Sequence, residues 1–327
     1  MDNHMSMEYW LGVDLGGTKI LTGLFDQNMK LVARSKQPTT ADGGPSAVIG
    51  RLVQGIEAIL KESGVDTQQV RGMCIGVPGQ VEIGTCRVRY APNLEWRDVD
   101  IKPLLPASWN WPLIVENDVR MGTYGEFTYG AARGARHVVG VFVGTGVGGG
   151  LILDGKLYTG YNGNAGEVGN LVVHWRHGTI LEQIAGRKFM MKRAKNILDD
   201  APKRVRKEWK GVDLAHVRSS QLAEFYQSDD PVAVQLVDDA ARALGAAIGG
   251  IVNFLNPEVI VIGGGVTIAL GDSFIERIWE IARRYTLPYV ADGVRCVMAA
   301  LGDDAGIIGC AAFAQANTRL AATAEVA

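Results

Sequence analysis

Leu113-Ile-Val-Glu-Asn-Asp-Val-Arg-Met-Gly-Thr-Tyr-Gly-Glu126 is a short apolar run that meets three polar residues where a helix can begin. Leu113 to Val115 has the make-up of a buried strand, and Glu116, Asn117 and Asp118 end it. Asn117 and Asp118 are therefore expected at a strand-to-helix junction. Open α/β sheets bind ligands at the carboxyl ends of their strands, where a carboxylate can accept a proton from a bound hydroxyl. The same residues are also good helix caps, because a side-chain oxygen satisfies the free N–H groups of a first turn.

Composition narrows the choice. The 327 residues are 47% hydrophobic, enough for one large core or two smaller ones, and two lobes would enclose a cleft. A formal net charge of −2 gives no whole-chain attraction for nucleic acid or for a membrane. Cys74, Cys86, Cys296 and Cys310 are scattered without CxxC spacing, which points to a reducing cytoplasm. The most apolar window, Ala243 to Ile262, is broken by Asn253, Asn256, Pro257 and Glu258, so no membrane span is expected. Met1 to Glu8 lack the basic-then-apolar order of a signal peptide and are left out of the expected fold.

Upstream of the junction, Tyr9 to Asp14 reads as a strand, Gly16-Gly17-Thr18 as a tight turn, and Lys19 to Phe25 and Lys30 to Ser35 as further strands. Apolar residues at Val48, Leu52, Ile56, Ile59 and Leu60 have helical spacing, and a strand from Gly72 to Val77 ends in Pro78-Gly79. Downstream the order recurs. A strand from His137 to Val143 runs into the glycine turn Gly144 to Gly150, then strands Leu151 to Leu153 and Lys156 to Thr159 around Asp154-Gly155. A duplicated meander-plus-helix unit predicts two related lobes. The charged stretch from Glu182 to Asp230 reads as helical, and its five basic residues within Lys203 to Lys210 as a solvated face. Asp230-Pro231 has the form of an N-cap opening a core helix, and Val259 to Ile262 is a buried strand that closes at a third glycine turn, Gly263-Gly264-Gly265.

Glycine turns after strands let backbone N–H groups approach phosphate oxygens without a side chain between. Asp14 adds a carboxylate suited to Mg²⁺, directly or through water, while Thr18 and Thr145 add hydroxyl donors. Each turn is equally readable as an ordinary hairpin; three in one chain favour the phosphate reading. Gly144-x-Gly146-x-x-Gly149 also fits the dinucleotide fingerprint, with Glu167 downstream, but that fingerprint must open a helix and Leu151 to Tyr158 reads as strands around a turn.

Val13-Asp-Leu-Gly-Gly-Thr-Lys19, Pro92-Asn-Leu94, Glu116-Asn-Asp118, Gly144-Thr-Gly-Val-Gly-Gly-Gly150, Gly163-Asn-Ala-Gly-Glu-Val-Gly169 and Asn256-Pro-Glu-Val-Ile-Val-Ile-Gly-Gly-Gly265 together resemble the ROK family of sugar kinases and repressors, over residues 10 to 315. The resemblance implies an α/β, actin/hexokinase-type (ribonuclease H-like), duplicated two-lobe ATPase fold. It implies a smaller N-terminal lobe over 9–118, a larger lobe over 119–303, and a C-terminal helix near 304–318 packing back on the first. Repressor members carry an N-terminal helix-turn-helix, and the strand at Tyr9 favours the kinase branch. The expected activity is ATP- and Mg²⁺-dependent phosphorylation of a hexose 6-hydroxyl, glucose first. Mannose, N-acetylglucosamine, fructose and allose are alternatives, as are a polyphosphate donor and a non-catalytic sugar sensor. A homodimer or homotetramer is expected, without nucleic acid or membrane partners.

Carried over by motif, Asp118 becomes the base. Asn93, Asn117, Glu167, Asn170, Glu182 and Gly79 line the sugar. Asp14, Gly16, Gly17, Thr18, Lys19, Thr145 and Gly146 face Mg·ATP phosphates, and Gly263 and Gly264 lie near the adenosine. One departure stands out. The family's Gly-Glu-x-Gly-His motif has Asn170 in place of histidine, and no cysteine lies between Asn170 and Glu182. His174 and His177 alone do not make a four-ligand site, so no structural zinc is expected. Trp175, Ile180, Leu181 and Ile184 are expected to fix the shortened loop by packing.

Overall fold

The computed structural model describes residues 7–324, with side chains to Thr318. Two compact units emerge: one comprises the chain to Gly134, Leu157–Ala165 and the chain from Asp303 onward; the other comprises Ala135–Lys156 and Gly166–Gly302.

In the first unit β1 (Tyr9–Leu15), β2 (Lys19–Asp26) and β3 (Leu31–Pro38) form an antiparallel meander. Helix α1 (Gly44–Ser63) follows, ended by Gly64 in the left-handed region, and leads to β4 (Val70–Val77), parallel to β1. A small antiparallel sheet of β5 (Gln80–Val81), β6 (Arg87–Ala91) and β7 (Trp96–Asp100) precedes β8 (Leu113–Asn117), which pairs in parallel with β4 and runs into α2 (Asp118–Thr128). The main sheet has the order β3-β2-β1-β4-β8. β1 is buried almost throughout because both faces are covered, whereas the edge strand β3 alternates in exposure. Leu11 and Val13 join Ile49, Leu52 and Ile56 of α1 in one core, while Trp10 joins Cys74 and Met121 in another.

The second unit repeats this plan. β9 (Val138–Val143), β10 (Val147–Leu153) and β11 (Lys156–Leu157) form the meander. A hairpin, β12 (Val172–His174) with β13 (Thr179–Ile180), leads to helices α3 (Leu181–Ala185), α4 (Arg187–Asp200), α5 (Lys203–Glu208), α6 (Ser219–Gln227) and α7 (Pro231–Leu255). The Asp230 carboxylate caps α7 by accepting from the N–H groups of Val232 and Ala233, with Pro231 at the first helical position. β14 (Val259–Gly263), α8 (Gly265–Leu270), α9 (Asp272–Arg283) and β15 (Arg295–Met298) complete it. The order β11-β10-β9-β14-β15 matches the first sheet strand for strand.

Two glycine stretches differ from the reading above. Gly148, Gly149 and Gly150 lie inside β10, leaving only Gly144 to Gly146 as the turn. The bare backbone is needed there, since a Cβ on Gly149 would meet Gly166 O at 2.6 Å. The third glycine run is no hairpin but a strand-to-helix step, with Gly264 at φ +88° between β14 and α8. All four cysteines are free thiols.

The last helix, α10 (Ala305–Ala324), belongs to the first unit and packs on β1, β4 and α2. Glycines set its distance. A Cβ on Gly12 of β1 would lie 2.0 Å from Ile307 O, one on Gly309 of α10 1.8 Å from Met121 O, and one on Gly125 of α2 2.4 Å from Ala305 O. Backbone cannot yield to such overlaps as a flexible side chain can. Gly309→Ala is expected to destabilise the protein by about 3 kcal/mol, the upper part of the overpacking range. Gly250, also in a helix, has open space where a Cβ would go, and Gly250→Ala is expected to stabilise by about 0.5–1 kcal/mol. Urea melts of the two variants check the opposite signs.

Candidate active site

The first unit collects polar residues at the carboxyl ends of β1, β4 and β8. Asp14 is the penultimate residue of β1, and its register partner on β4 is Gly76. A Cβ on Gly76 would lie 3.2 Å from Asp118 Cα and 3.3 Å from Cys310 Sγ, so the bare backbone lets α2 begin close against β4. Gly306 of α10 closes Asp14 from the other side, its imagined Cβ 2.9 Å from Asp14 Cγ. Crowded in this way, Asp14 has its carboxyl pushed up to about 7, first by burial and then by the charge of Asp118, with Lys19 opposing. Lys19 itself is 2.6 Å from Asp303, which its hydrogen bond holds below the usual carboxylate range.

The turn from Gly16 to Thr18 is tied by Gly16 N–H donating to Lys19 O at 2.9 Å and by the Thr39 hydroxyl donating to Gly16 O at 2.6 Å. Thr18 is exposed at its tip. Asn93 sits in a 3₁₀ turn, Pro92–Leu94, 3.2 Å from where a Gly17 Cβ would be. Gly79 follows β4 with φ +154°, where a Cβ would collide with Tyr90 O at 2.2 Å.

At the junction the capping role falls to Asn117. Its Oδ1 accepts from the N–H groups of Val119 and Arg120, both at 3.0 Å, while its Nδ2 donates to Gly79 O at 3.2 Å. Asp118 opens α2, and its Oδ1 accepts from its neighbour Val119 N–H at 2.9 Å. The sequence reading passed over Arg120. Its guanidinium is 1% exposed, donates to Glu116 Oε1 at 2.7 Å and also to Gly163 O. Burial raises Glu116, against the pull of Arg120 and of the Asn117 N–H. The Glu116-x-x-x-Arg120 spacing was the available signal, though nothing in the sequence told that this pair would be buried rather than a solvated one.

In the second unit the residues singled out gather on Val147. Thr145 and Gly146 form the turn between β9 and β10, closed by Gly144 N–H donating to Gly146 O at 2.9 Å. Glu182, at the start of α3, accepts from Val147 N–H at 2.9 Å, so one carboxylate oxygen braces this turn. A Cβ on Gly169 would lie 2.1 Å from Val147 O, which seats the turn Val168–Asn170 against the same residue; Glu167 and Asn170 flank it and are exposed. Gly263 and Gly264 lie at the end of β14, where a Gly264 Cβ would fall 2.4 Å from Val143 O. The shortened loop after Asn170 is the β12–β13 hairpin, with the His174 and His177 rings stacked 4.7 Å apart. Leu181 is buried beneath it, but Trp175 is 81% exposed and does not contribute the expected packing. Among the described residues no group of three or more His, Cys, Asp or Glu is arranged to hold a metal.

Two five-stranded sheets of identical order, each with a glycine turn in its meander, define the actin/hexokinase-type fold. The chain belongs to the ROK family, whose model matches residues 10–317. It is 32% identical to a glucokinase of Halalkalibacterium halodurans, over 93% of this chain and 94% of that one. A crystal structure of a ROK family glucokinase from Streptomyces griseus in complex with glucose and AMPPNP superposes with a TM-score of 0.80 at 27% identity, covering 94% of this chain and 99% of that one. For a ROK hexokinase from Thermus thermophilus the values are 0.78, 29%, 95% and 99%.

Removing Arg120 leaves the Glu116 carboxylate buried without its counter-charge. Arg120→Met is expected to cost about 3–5 kcal/mol of stability, most of it recovered in the Arg120→Met, Glu116→Gln double variant. Chemical denaturation of the four proteins of this cycle checks the coupling.

Proposed function

We propose that this protein is a sugar kinase that transfers the γ-phosphoryl group of ATP to the 6-hydroxyl of a hexose, glucose first, with Asp118 as the general base. The observation that carries the reading is that the Asp118 charge acts on the buried Asp14 carboxyl at the strand ends, with glycine at Gly76 letting α2 begin close against β4. Relatives named glucokinase, and a glucokinase crystallised with glucose and the ATP analogue AMPPNP, support the choice of acceptor and donor.

In this mechanism Asp118 accepts the proton of the sugar hydroxyl as its oxygen bonds to the γ-phosphorus. The bond from that phosphorus to the bridging oxygen breaks, ADP leaves, and the proton remains on the Asp118 carboxyl. The Val119 N–H holds one oxygen of Asp118 and so orients the other. Asn117 is occupied as a cap and by Gly79 O, so its contribution is to fix the junction, and with it the base. Glu167 and Asn170, exposed on their turn, offer acceptors and donors to sugar hydroxyls. The Gly16–Thr18 and Gly144–Gly146 turns offer backbone N–H groups and threonine hydroxyls to phosphates.

Asp14 fits a magnesium ligand. A crowded carboxyl raised to about 7 beside a second carboxylate is a site that a divalent cation would relieve. Magnesium is commonly held by one or two carboxylates plus substrate phosphates, so no preformed protein cage is required. Bound there it would neutralise phosphate charge. Among the described residues no helix is long and apolar enough to cross a membrane. The scattered cysteines support a place in the cytoplasm, and the family supports a homodimer or homotetramer.

A coupled ADP-release assay with and without glucose tests the reading; ADP formation that ignores glucose would sink it. Asp118→Asn is expected to lower kcat by roughly 10²–10⁴ with the fold intact, the usual worth of a positioned base. A variant that keeps more than about half of wild-type kcat would remove Asp118 from that role. Glu167→Ala is expected to raise the KM for glucose about tenfold or more and leave that for ATP within about twofold, read from steady-state kinetics.

A further inference from the structure

The Gly144–Gly146 turn is clasped from within its own unit by Arg187, a residue outside every motif quoted above. Arg187 opens α4, and its backbone N–H donates to Gly144 O at 3.0 Å while the next N–H, of Lys188, donates to Thr145 O at 3.0 Å. The guanidinium reaches the same turn: Nη2 donates to Thr145 Oγ1 at 3.2 Å, and Nη1 donates to Val217 O. Two neighbouring elements therefore grip three of the four residues from Gly144 to Val147, since Glu182 of α3 accepts from Val147 N–H at 2.9 Å.

The hydrogen-bond inventory gives this arrangement a direction. A hydroxyl has one proton and two lone pairs, and a guanidinium can only donate. Toward Arg187, Thr145 Oγ1 is thus an acceptor, and its single proton is directed elsewhere. Thr145 is exposed, so an acceptor outside the protein can reach that proton. A donor hydrogen bond into the oxygen also polarises the O–H and makes it a better donor in turn. Charge points the same way. The Glu182 carboxylate lies directly against the turn, a Cβ on Gly146 falling 2.2 Å from its Oε2. An anion approaching the turn would be repelled by it, and Arg187 supplies the compensating positive charge.

We propose that Arg187 is the positioning residue for the phosphoryl donor: it holds the Thr145 hydroxyl as an outward donor to a phosphate oxygen and offsets Glu182. The ligand chemistry is a polyphosphate chain, which ATP and inorganic polyphosphate share. This rests on the kinase reading above for the identity of the reaction, though the binding contact stands apart from it.

The test uses the full-length protein and Thr145→Ala, Arg187→Met, Arg187→Lys and the Thr145→Ala, Arg187→Met double variant. Affinity for magnesium-ATP and for long-chain polyphosphate is measured calorimetrically without sugar, and KM for ATP and glucose kinetically. Arg187→Met is expected to weaken ATP by about 10- to 100-fold, the worth of a hydrogen bond to a charged group, with the glucose KM within about twofold. In the double variant the loss should exceed that of Thr145→Ala yet fall short of the product of the two single losses, because the guanidinium acts partly through that hydroxyl and partly by offsetting Glu182. Arg187→Lys keeps the charge without the forked geometry and should fall between. Equal weakening of ATP and polyphosphate identifies the phosphate chain as the ligand; loss confined to ATP would overturn that part. Unchanged ATP affinity in Arg187→Met, losses that multiply in the double variant, or a parallel rise in glucose KM would each overturn the role. Should Arg187→Met fail to fold, Arg187→Lys with wild-type ATP affinity overturns it alone. A wild-type protein that binds ATP but phosphorylates no sugar would remove the kinase reading, and the binding titrations would still decide this one.

Discussion

The close seating of α10 against β1 and α2 is the constraint on which the first unit depends. Gly12, Gly125 and Gly309 bring three backbones to distances that a single methyl group would forbid. Because α10 lies this low, Gly306 closes over Asp14 and Cys310 reaches the carbonyl of Val13, donating at 3.2 Å. The same contact sets where α2 begins, and hence where the Asp118 carboxylate is held. A segment more than 180 residues away in sequence thus helps to position both acidic residues.

Electrostatics then explain why the site has its residues. The charge of Asp118, at the end of β8, adds to burial in raising the proton affinity of Asp14, at the end of β1, an arrangement that is unfavourable in isolation and favourable toward a cation. Strain of this kind is supported by the surrounding structure. Asn117 caps α2, Arg120 neutralises Glu116 beneath it, and the meander turn is tied to Thr39. In the second unit the turn carries the same burden differently, gripped through its backbone by α4 and through Val147 by Glu182. Duplication of a sheet does not duplicate its chemistry, because the groups behind each turn come from unrelated segments.

Much of the fold was legible from local pattern. Alternation, turn residues and the Asp230-Pro231 cap locate the strands and the long helix α7, and the repeated order of strand, glycine turn and strand announces two matching sheets. The glycines were harder to read. Gly144 to Gly150 looks like one loop, yet Gly148 to Gly150 form a strand, since glycine there answers to Gly166 and Val168 packing across it and not to a turn. Gly263 to Gly265 likewise looks like a turn but starts a helix, with Gly264 alone in the left-handed region.

The sequence by itself determined the two meanders and their duplication, the long helix α7, the acidic junction at Asn117 and Asp118, and the loss of cysteine from the loop after Asn170. These are properties of residue type and spacing along one segment. Tertiary structure alone decided that Asn117 caps while Asp118 does not, that Glu182 braces a turn, that Arg120 is buried with Glu116, and that Arg187 grips Thr145. Each of the last three joins groups whose separation depends on packing elsewhere, and a hydrogen bond or ion pair exists only over a few tenths of an ångström. Spacing in sequence does not carry that precision; closely packed backbone does.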